Sequence, residues 1–348
     1  MFPRKSDAER HLIGVEAAKA SGSYVDDARG RVLVEEFAAE WLAGRAHLKP
    51  KTLAGYHSLL KTRVLPTWET VPLSRITHGA VVAWVAGMQA EGLSASRVRQ
   101  AYHLLTSMLD SAVRDARLAR NPAAGVDLPR LRVVERRYLT HEQVGALAEA
   151  CGEYGLLVRV LAHTGLRWGE ATALRVGRVD LLRGRLQVVE AVVDVNGRAI
   201  FGAPKSHQHR AVPIPRFLRE DLGAAMAGKG VDDLVFCAPR GGTLRVQNFR
   251  RAVFDRAVCE VGLPRLVPHE LRHTAASLAI SAGASVKGVQ AMLGHASATL
   301  TLDRYGHLFG DELDAVAERL DAAARAPGVP SVCPPGSVTV LTERAQSL

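Results

Sequence analysis

The chain has 348 residues, 47% hydrophobic and 23% charged, which is room for two domains and a tail around a sizeable core. It contains no run of 18 apolar residues, opens on MFPRKSDAERH rather than a signal peptide, and spaces Cys151, Cys237, Cys259 and Cys333 as neither a metal site nor a disulfide framework; membrane-spanning and disulfide-stapled secreted classes are set aside, and a cytoplasmic protein is expected. A formal charge of +10, shared as +5 in residues 1–130 and +5 in 131–348, favours a polyanionic partner touching both halves, although 37 Arg against 8 Lys also fits a bias in base composition.

Ser6-Asp7-Ala8-Glu9 reads as a capping box opening a helix to about Ala20, with Ala8, Leu12, Ile13 and Ala17 on one face. A lone helix cannot bury such a face, so a partner element for it is expected. Residues 23–31 read as a linker. Four helical segments follow: Val32 to Arg45, Lys51 to Leu65 closing at Pro66, Thr77 to Ala90, and Ser94 to Leu118, with Thr77 and Ser94 as N-caps. Lys49, Lys51, Thr52, Arg97 and Arg99 cluster near helix starts, where side chains and free N–H groups suit phosphate; a solvated polar face is the plain alternative for each.

Asn121-Pro122 and the Arg-rich run to Arg137 read as a second linker. Thr140 to Gln143 is a further capping box, with helices at about 141–151 and 153–163. After the Thr164-Gly165 turn, Arg167 to Leu174 opens another helix, on which Arg167 and Glu170 share a face. Strand signals occupy 180–214: RLQVVE, an Asn196-Gly197 hairpin turn, and RAVPI. Lys205 is expected on a hairpin loop. It is one of three Lys after residue 130, which hints at a donor able to lose its proton. Val246 to Val261 reads as a helix with Arg250 and Arg251 on its polar side.

The stretch Pro268 to Tyr305 is the densest in chemistry. Pro268 suits a first helical turn, and His269 and Arg272 share a face. Leu278, Ala279, Ala282, Val286, Val289 and Met292 are expected as a buried stripe ending at Leu293-Gly294. His295 and Tyr305 are expected just beyond helix ends, Tyr305 behind a mobile ATLTLD segment. His269-Glu270-Leu271-Arg272-His273 also matches the H-E-x-x-H zinc-protease pattern, but the third ligand that pattern needs is absent from the expected positions. Asp311 to Ala323 reads as an amphipathic helix with Leu313, Val316, Ala317 and Leu320 on one face, and the Pro-rich stretch after Ala326 as disordered.

HELRHTAASLA followed by MLGHASATLTLDRYGHLF resembles the active-site half of the tyrosine recombinases, the phage-integrase family. The matching upstream pieces are Thr164-Gly165-Leu166-Arg167-Trp168-Gly169-Glu170 and Pro204-Lys205-Ser206. The resemblance implies a mainly α protein with a small β-sheet: an all-α SAM-like core-binding domain, then an α+β catalytic domain. It implies the division 1–29 (remnant of an arm-binding domain and linker), 30–127 (core-binding), 128–139 (linker), 140–323 (catalytic) and 324–348 (disordered tail). It further implies DNA cleavage and rejoining through a 3′-phosphotyrosyl link, to integrate or excise a mobile element. Tyr305 is then the nucleophile, with Arg167 and Arg272 on the phosphate, Lys205 as acid for the 5′ oxygen, His269 as base toward Tyr305, and His295 bonded to the phosphate. No cofactor or metal is implied. The implied partners are double-stranded attachment sites and a homotetramer on DNA, with an excisionase or host DNA-bending protein as accessory. A type IB topoisomerase, a helix-turn-helix regulator over Val286 to Tyr305, and the zinc protease are the alternatives.

Overall fold

The computed structural model describes residues 29–131, 137–204, 209–309 and 312–325, together with 4–6, 9, 10, 12, 13 and 16. The first helix is therefore only partly within the described residues; Leu12 and Ile13 there are exposed. Residues 132–136, Lys205 and the stretch after Arg325 lie outside them. The fold is mainly α with two small antiparallel sheets, and the chain divides into two compact units.

One unit comprises Met1–Arg136, Glu190–Gly202 and Phe236–Arg245. Its helices are α1 (Val34–Ala43), α2 (Pro50–Leu59), α3 (Leu65–Trp68), α4 (His78–Ala90) and α5 (Ala95–Arg114). Helix α1 buries Val34, Phe37, Ala38 and Trp41, one face at i, i+3, i+4, i+7. Helix α5 buries eight residues from Val98 to Ala112, among them Leu105, Met108 and Leu109. Thr77 and Ser94 cap α4 and α5, each hydroxyl accepting the backbone N–H three residues on. The second helix does not close at Pro66 as its sequence suggests. A π-turn over Leu60–Val64 resets the hydrogen-bond register, so Pro66 falls in the first turn of α3, where its missing N–H costs nothing.

The same unit holds the hairpin β3 (Ala191–Val195) and β4 (Arg198–Gly202), numbered after two earlier strands described below. It turns at Asn196-Gly197, the expected place.

The other unit comprises Arg137–Val189, Ala203–Val235 and Val246–Leu348. It carries α6 (His141–Ala150), α7 (Gly155–Thr164) and a single turn α8 (Trp168–Ala171), shorter than the expected Arg167 to Leu174. Thr140 and Gln143 complete the capping box on α6. The strands β1 (Val179–Asp180), β2 (Arg185–Val188) and β5 (Arg210–Pro213) form a sheet of order β1-β2-β5, Leu186 facing Val212 in register. In this topology β5 pairs with β2 and β4 with β3; Lys205, expected on a hairpin loop, lies outside the described residues. Helices α9 (Arg219–Met226), α10 (Val246–Phe249) and α11 (Asp255–Glu260) follow, the last two joined by a π-turn at Arg250–Phe254.

The region from 268 onward departs most from expectation. It forms α12 (Glu270–Ser281), α13 (Val286–Leu293) and α14 (Ala298–Tyr305), followed by α15 (Glu312–Arg325). Pro268 precedes the N-cap, His269, and lies outside the first turn. The expected stripe is not continuous: Val289 and Met292 are buried, Leu278, Ala279 and Val286 are half-buried, and Ala282 is exposed. The break between α12 and α13 changes the phase of the faces. The buried part of α12 is instead the unbroken run Leu271 to Ala276, because this helix packs along α7 and is covered on all sides there. In α15, Ala317 and Leu320 are exposed. No helix among the described residues is long and apolar enough to cross a membrane.

Candidate active site

Two helices of the second unit end in left-handed glycines, Gly165 after α7 and Gly294 after α13, both at φ 65°. A Cβ at Gly165 would meet Leu293 Cδ2 at 2.5 Å, and one at Gly294 would meet Arg210 Cδ at 2.9 Å, so the two caps demand glycine for space as well as for φ. A helix C-terminus leaves carbonyls without intrahelical partners and carries partial negative charge. Here arginines meet those carbonyls. Arg272, only 4% exposed, donates through Nη1 to Gly165 O and through Nη2 to Leu293 O, the latter at 2.6 Å. Arg167 donates to Gly294 O at 3.4 Å, and Arg210 Nε to Met292 O at 3.1 Å. Three successive carbonyls at the end of α13 thus hold three different guanidiniums.

Glu170 knits two of these together. Its side chain, 1% exposed, receives Arg167 Nη1 at 2.7 Å, Arg210 Nη2 at 2.6 Å and Arg210 Nη1 at 3.1 Å, and also accepts the Arg167 backbone N–H. Burial alone would raise the Glu170 pKa, but the hydrogen bond and charge of Arg210, with Arg167 behind them, hold it below the ordinary carboxylate value. Burial first, then the charges of Arg167 and Arg210 working against Glu170, push Arg272 down to about 9, which leaves it protonated at neutral pH.

Tyr305 does not lie beyond a helix end. It is the last residue of α14, whose N-cap Ser297 accepts the Leu300 N–H, and it is 1% exposed. The ATLTLD segment expected to be mobile is that helix. The Tyr305 hydroxyl lies 2.7 Å from His273 Nδ1. His295, just past Gly294 as expected, stacks parallel to the Tyr305 ring at 6.3 Å, with its Nδ1 2.9 Å from Thr301 Oγ1. Burial, followed by the positive charges of Arg272, Arg304, Arg167 and Arg210, lowers His295 to about 4, so it is neutral at pH 7. His269 is exposed, its ring edge-on to His273 at 5.6 Å.

Arg167, Arg272, His295 and Tyr305 therefore share one site, with His269 at its exposed side, while Lys205 lies outside the described residues. Within the zinc-protease-like run, Glu270 turns back to the Val267 N–H at 2.8 Å and His273 turns to Tyr305. No cluster of three or more His, Cys, Asp or Glu fit for a metal occurs among the described residues. Sequence reasoning missed Arg210, His273 and Thr301. Arg210 is one Arg among 37, with a partner 40 residues upstream, so nothing local marks it. His273 was readable as an i+4 neighbour of His269, but only within the zinc pattern.

The candidate phosphate-binding residues are dispersed. Lys49, Lys51 and Thr52 are exposed at the start of α2, where Lys51 Nζ donates to Asp194 O at 2.8 Å in the β3–β4 hairpin. Arg97 and Arg99 are half-buried at the start of α5; Arg97 donates to Gln100 and Arg99 to Pro129 O, each at 3.3 Å. In the other unit Arg251 is exposed, whereas Arg250 is paired with Asp255 through two bonds of 3.0 and 3.2 Å.

Comparison with known proteins gives a consistent result. Residues 137–311 match the model of the phage integrase family. The chain is 30% identical to the integrase of Mycobacterium phage FRAT1, over 79% of this chain and 84% of that one. In structure it resembles the Tn1549 transposon integrase in complex with a circular intermediate DNA, with a TM-score of 0.72 at 21% identity over 83% of this chain and 99% of the other. It also resembles a lambda integrase tetramer bound to a Holliday junction, with a TM-score of 0.62 at 21% identity over 86% and 90% of the two chains. The chain belongs to the phage integrase family and is a tyrosine-type site-specific recombinase.

Proposed function

We propose that this recombinase integrates or excises a mobile element by attack of Tyr305 on a DNA phosphodiester. The attack leaves a 3′-phosphotyrosyl link and a free 5′-hydroxyl, and the reverse step rejoins a different strand. Arg167 and Arg272 hold the non-bridging oxygens and stabilise the charge that grows in the transition state. Lys205 protonates the 5′ oxygen. His295 hydrogen-bonds the phosphate, and the family resemblance gives His269 the role of base toward Tyr305. The bond energy is stored in the phosphotyrosine, so the reaction proceeds without a nucleotide.

The observation that carries this reading is the convergence of a buried Arg272 and a half-buried Arg167 on one helix end beside a tyrosine whose neighbours are imidazoles. Such an arrangement gives an oxyanion a pre-organised, water-poor seat next to a nucleophile.

Double-stranded attachment DNA is the substrate, and the working form is an oligomer on DNA, here assigned as a tetramer. The DNA-bound Tn1549 and lambda integrases of similar fold support both points. The helical unit supplies core-site contacts through Lys49, Lys51, Thr52, Arg97 and Arg99, and Arg250 and Arg251 add contacts from the other unit. The functional division follows the lines 30–127, 128–139 and 140–323, with an arm-binding remnant in 1–29 and a tail in 324–348. An excisionase or host DNA-bending protein is assigned as accessory, and the site of action is the cytoplasm.

Covalent capture tests the reading. On a nicked suicide attachment site the wild-type chain accumulates an adduct that survives denaturation, and mass spectrometry locates the DNA on Tyr305. An adduct mapped to any other residue overturns the assignment.

A further inference from the structure

Granting Tyr305 as the nucleophile, we propose that His273 is the catalytic residue that takes the phenolic proton when Tyr305 attacks. A phenol ionises near pH 10 in water, so at neutral pH only about one in a thousand is phenolate and a base is needed. Of the imidazoles near Tyr305, His295 has its Nδ1 engaged with Thr301 and its ring plane parallel to the phenol ring at 6.3 Å. His269, to which the family resemblance gives the base role, caps α12 at the exposed side. His273 lies one turn further into the same helix, and its Nδ1 is 2.7 Å from the phenolic oxygen. That is the distance of a strong O–H···N bond, and general-base transfer requires such reach before any matching of pKa.

The setting holds this geometry. His273 falls in the fully buried run Leu271 to Ala276, and its neighbour Thr274 accepts the Leu139 N–H, which ties α12 to the chain leading into α6. Both partners are nearly sealed from water, Tyr305 at 1% and His273 at 8% exposure. Water therefore competes poorly for the proton. Arg272, adjacent to His273 in sequence, is electrostatically coupled to Tyr305, and its positive charge favours the phenolate. Among the described residues, titratable groups around His273 include His269 on its own helix, His295 after α13, and His307 on the turn that follows α14, which meets Tyr138.

In the proposed step the phenolic O–H bond breaks and its proton moves to His273 Nδ1 as the O–P bond forms. The bridging bond from phosphorus to the 5′ oxygen breaks, and that oxygen takes its proton from the separate acid. On rejoining, the incoming 5′-hydroxyl attacks phosphorus and gives up its proton to that acid group, and the proton on Nδ1 returns to the departing phenolate. Neutral His273 must then carry its hydrogen on Nε2.

The test uses the full chain under single turnover on a nicked attachment site. In His273→Asn the side chain still hydrogen-bonds from near the Nδ1 position but cannot take a proton. Adduct formation should slow by about 100-fold or more with DNA affinity unchanged, and the acidic limb of the pH–rate profile should disappear. A fluorinated tyrosine of lower phenol pKa at position 305 should restore most of the lost rate. A His273→Asn protein that cleaves at the wild-type rate with the acidic limb intact overturns the proposal. A Tyr305→Phe protein that still forms an adduct overturns the reading beneath it. Nitrogen-15 spectra of the unaltered chain add a readout that needs no variant at 273: an Nε2–H tautomer for His273 supports the step, and an Nδ1–H tautomer overturns it.

Discussion

The core of the helical unit and the centre of the recombinase site are both closed to water, yet they are built from opposite materials. Around α5 the buried residues are Leu, Met, Val, Ala and aromatics, with Trp68 edge-on to Trp84 at 6.1 Å and Trp41 stacked on Tyr56 at 5.6 Å. Around the end of α13 they are Glu170, Arg272, His273, His295, Thr301 and Tyr305. The first region draws stability from area removed from water, a non-directional effect that many sequences can supply. The second spends desolvation on charges and recovers it only through particular partners. Damage should therefore read out as lost stability in one place and as lost chemistry in the other.

The widest separation of the two is expected at Tyr305. Tyr305→Phe removes one hydroxyl, a change of about 1 kcal/mol in stability, yet should abolish covalent product on a nicked attachment site while gel-shift affinity stays near wild type. Persistent adduct would erase the contrast. Glu170→Gln tests whether the buried charges also bear on folding. It keeps the shape but leaves Arg167 and Arg210 without their counter-charge, and should lower stability by about 3–5 kcal/mol in denaturant titration, with cleavage lost as well. Leu105→Ala in the helical unit should cost about 2–5 kcal/mol in the same titration, while protein that remains folded still cleaves.

A pH series sharpens the comparison further. The folded-state pKa of His295, about 4, lies below the ordinary 6.5, so folding favours its neutral form. Its stabilising contribution is complete above pH 6.5 and is lost as pH falls from 6.5 toward 4. Thermal unfolding midpoints should drop across that window, and His295→Asn, which keeps a bond to Thr301 but does not titrate there, should flatten the drop. The smallest effect belongs to a cap: Ser94→Ala removes the Ser94 hydroxyl from the Arg97 N–H and should cost about 1 kcal/mol with cleavage unchanged.

What was legible in the sequence follows the same divide. Thr77, Ser94 and Thr140 were readable as caps because capping is decided within three or four residues. Arg167, Arg272, His295 and Tyr305 were readable as a set because the family pattern fixes residue identities, which no periodicity could supply. The stripe from Leu278 to Met292 was misread because the turn between α12 and α13 shifts the phase of the faces. Tyr305 was expected just beyond a helix end behind a mobile segment, yet it ends a helix and is sealed: the polar-looking ATLTLD run is a capped helix that turns Thr301 and Tyr305 inward. Arg210 was invisible because its role depends on meeting Glu170 and the Met292 carbonyl, both remote in sequence.

The seating of three arginines on the end of α13 has a consequence for charge balance. Glu170 is the carboxylate that pairs Arg167 with Arg210, and Arg272 beside them is held by uncharged carbonyls. His295 adds nothing at neutral pH. The cluster thus keeps two net positive charges that no carboxylate among the described residues is seen to pair with. A phosphodiester brings one negative charge; the five-coordinate phosphorus formed when a phenolate adds to it carries two. Under the proposed mechanism this cluster of three arginines and Glu170 carries more positive charge than the bound phosphodiester offsets and as much as the five-coordinate species offsets, the inequality that turns binding into rate.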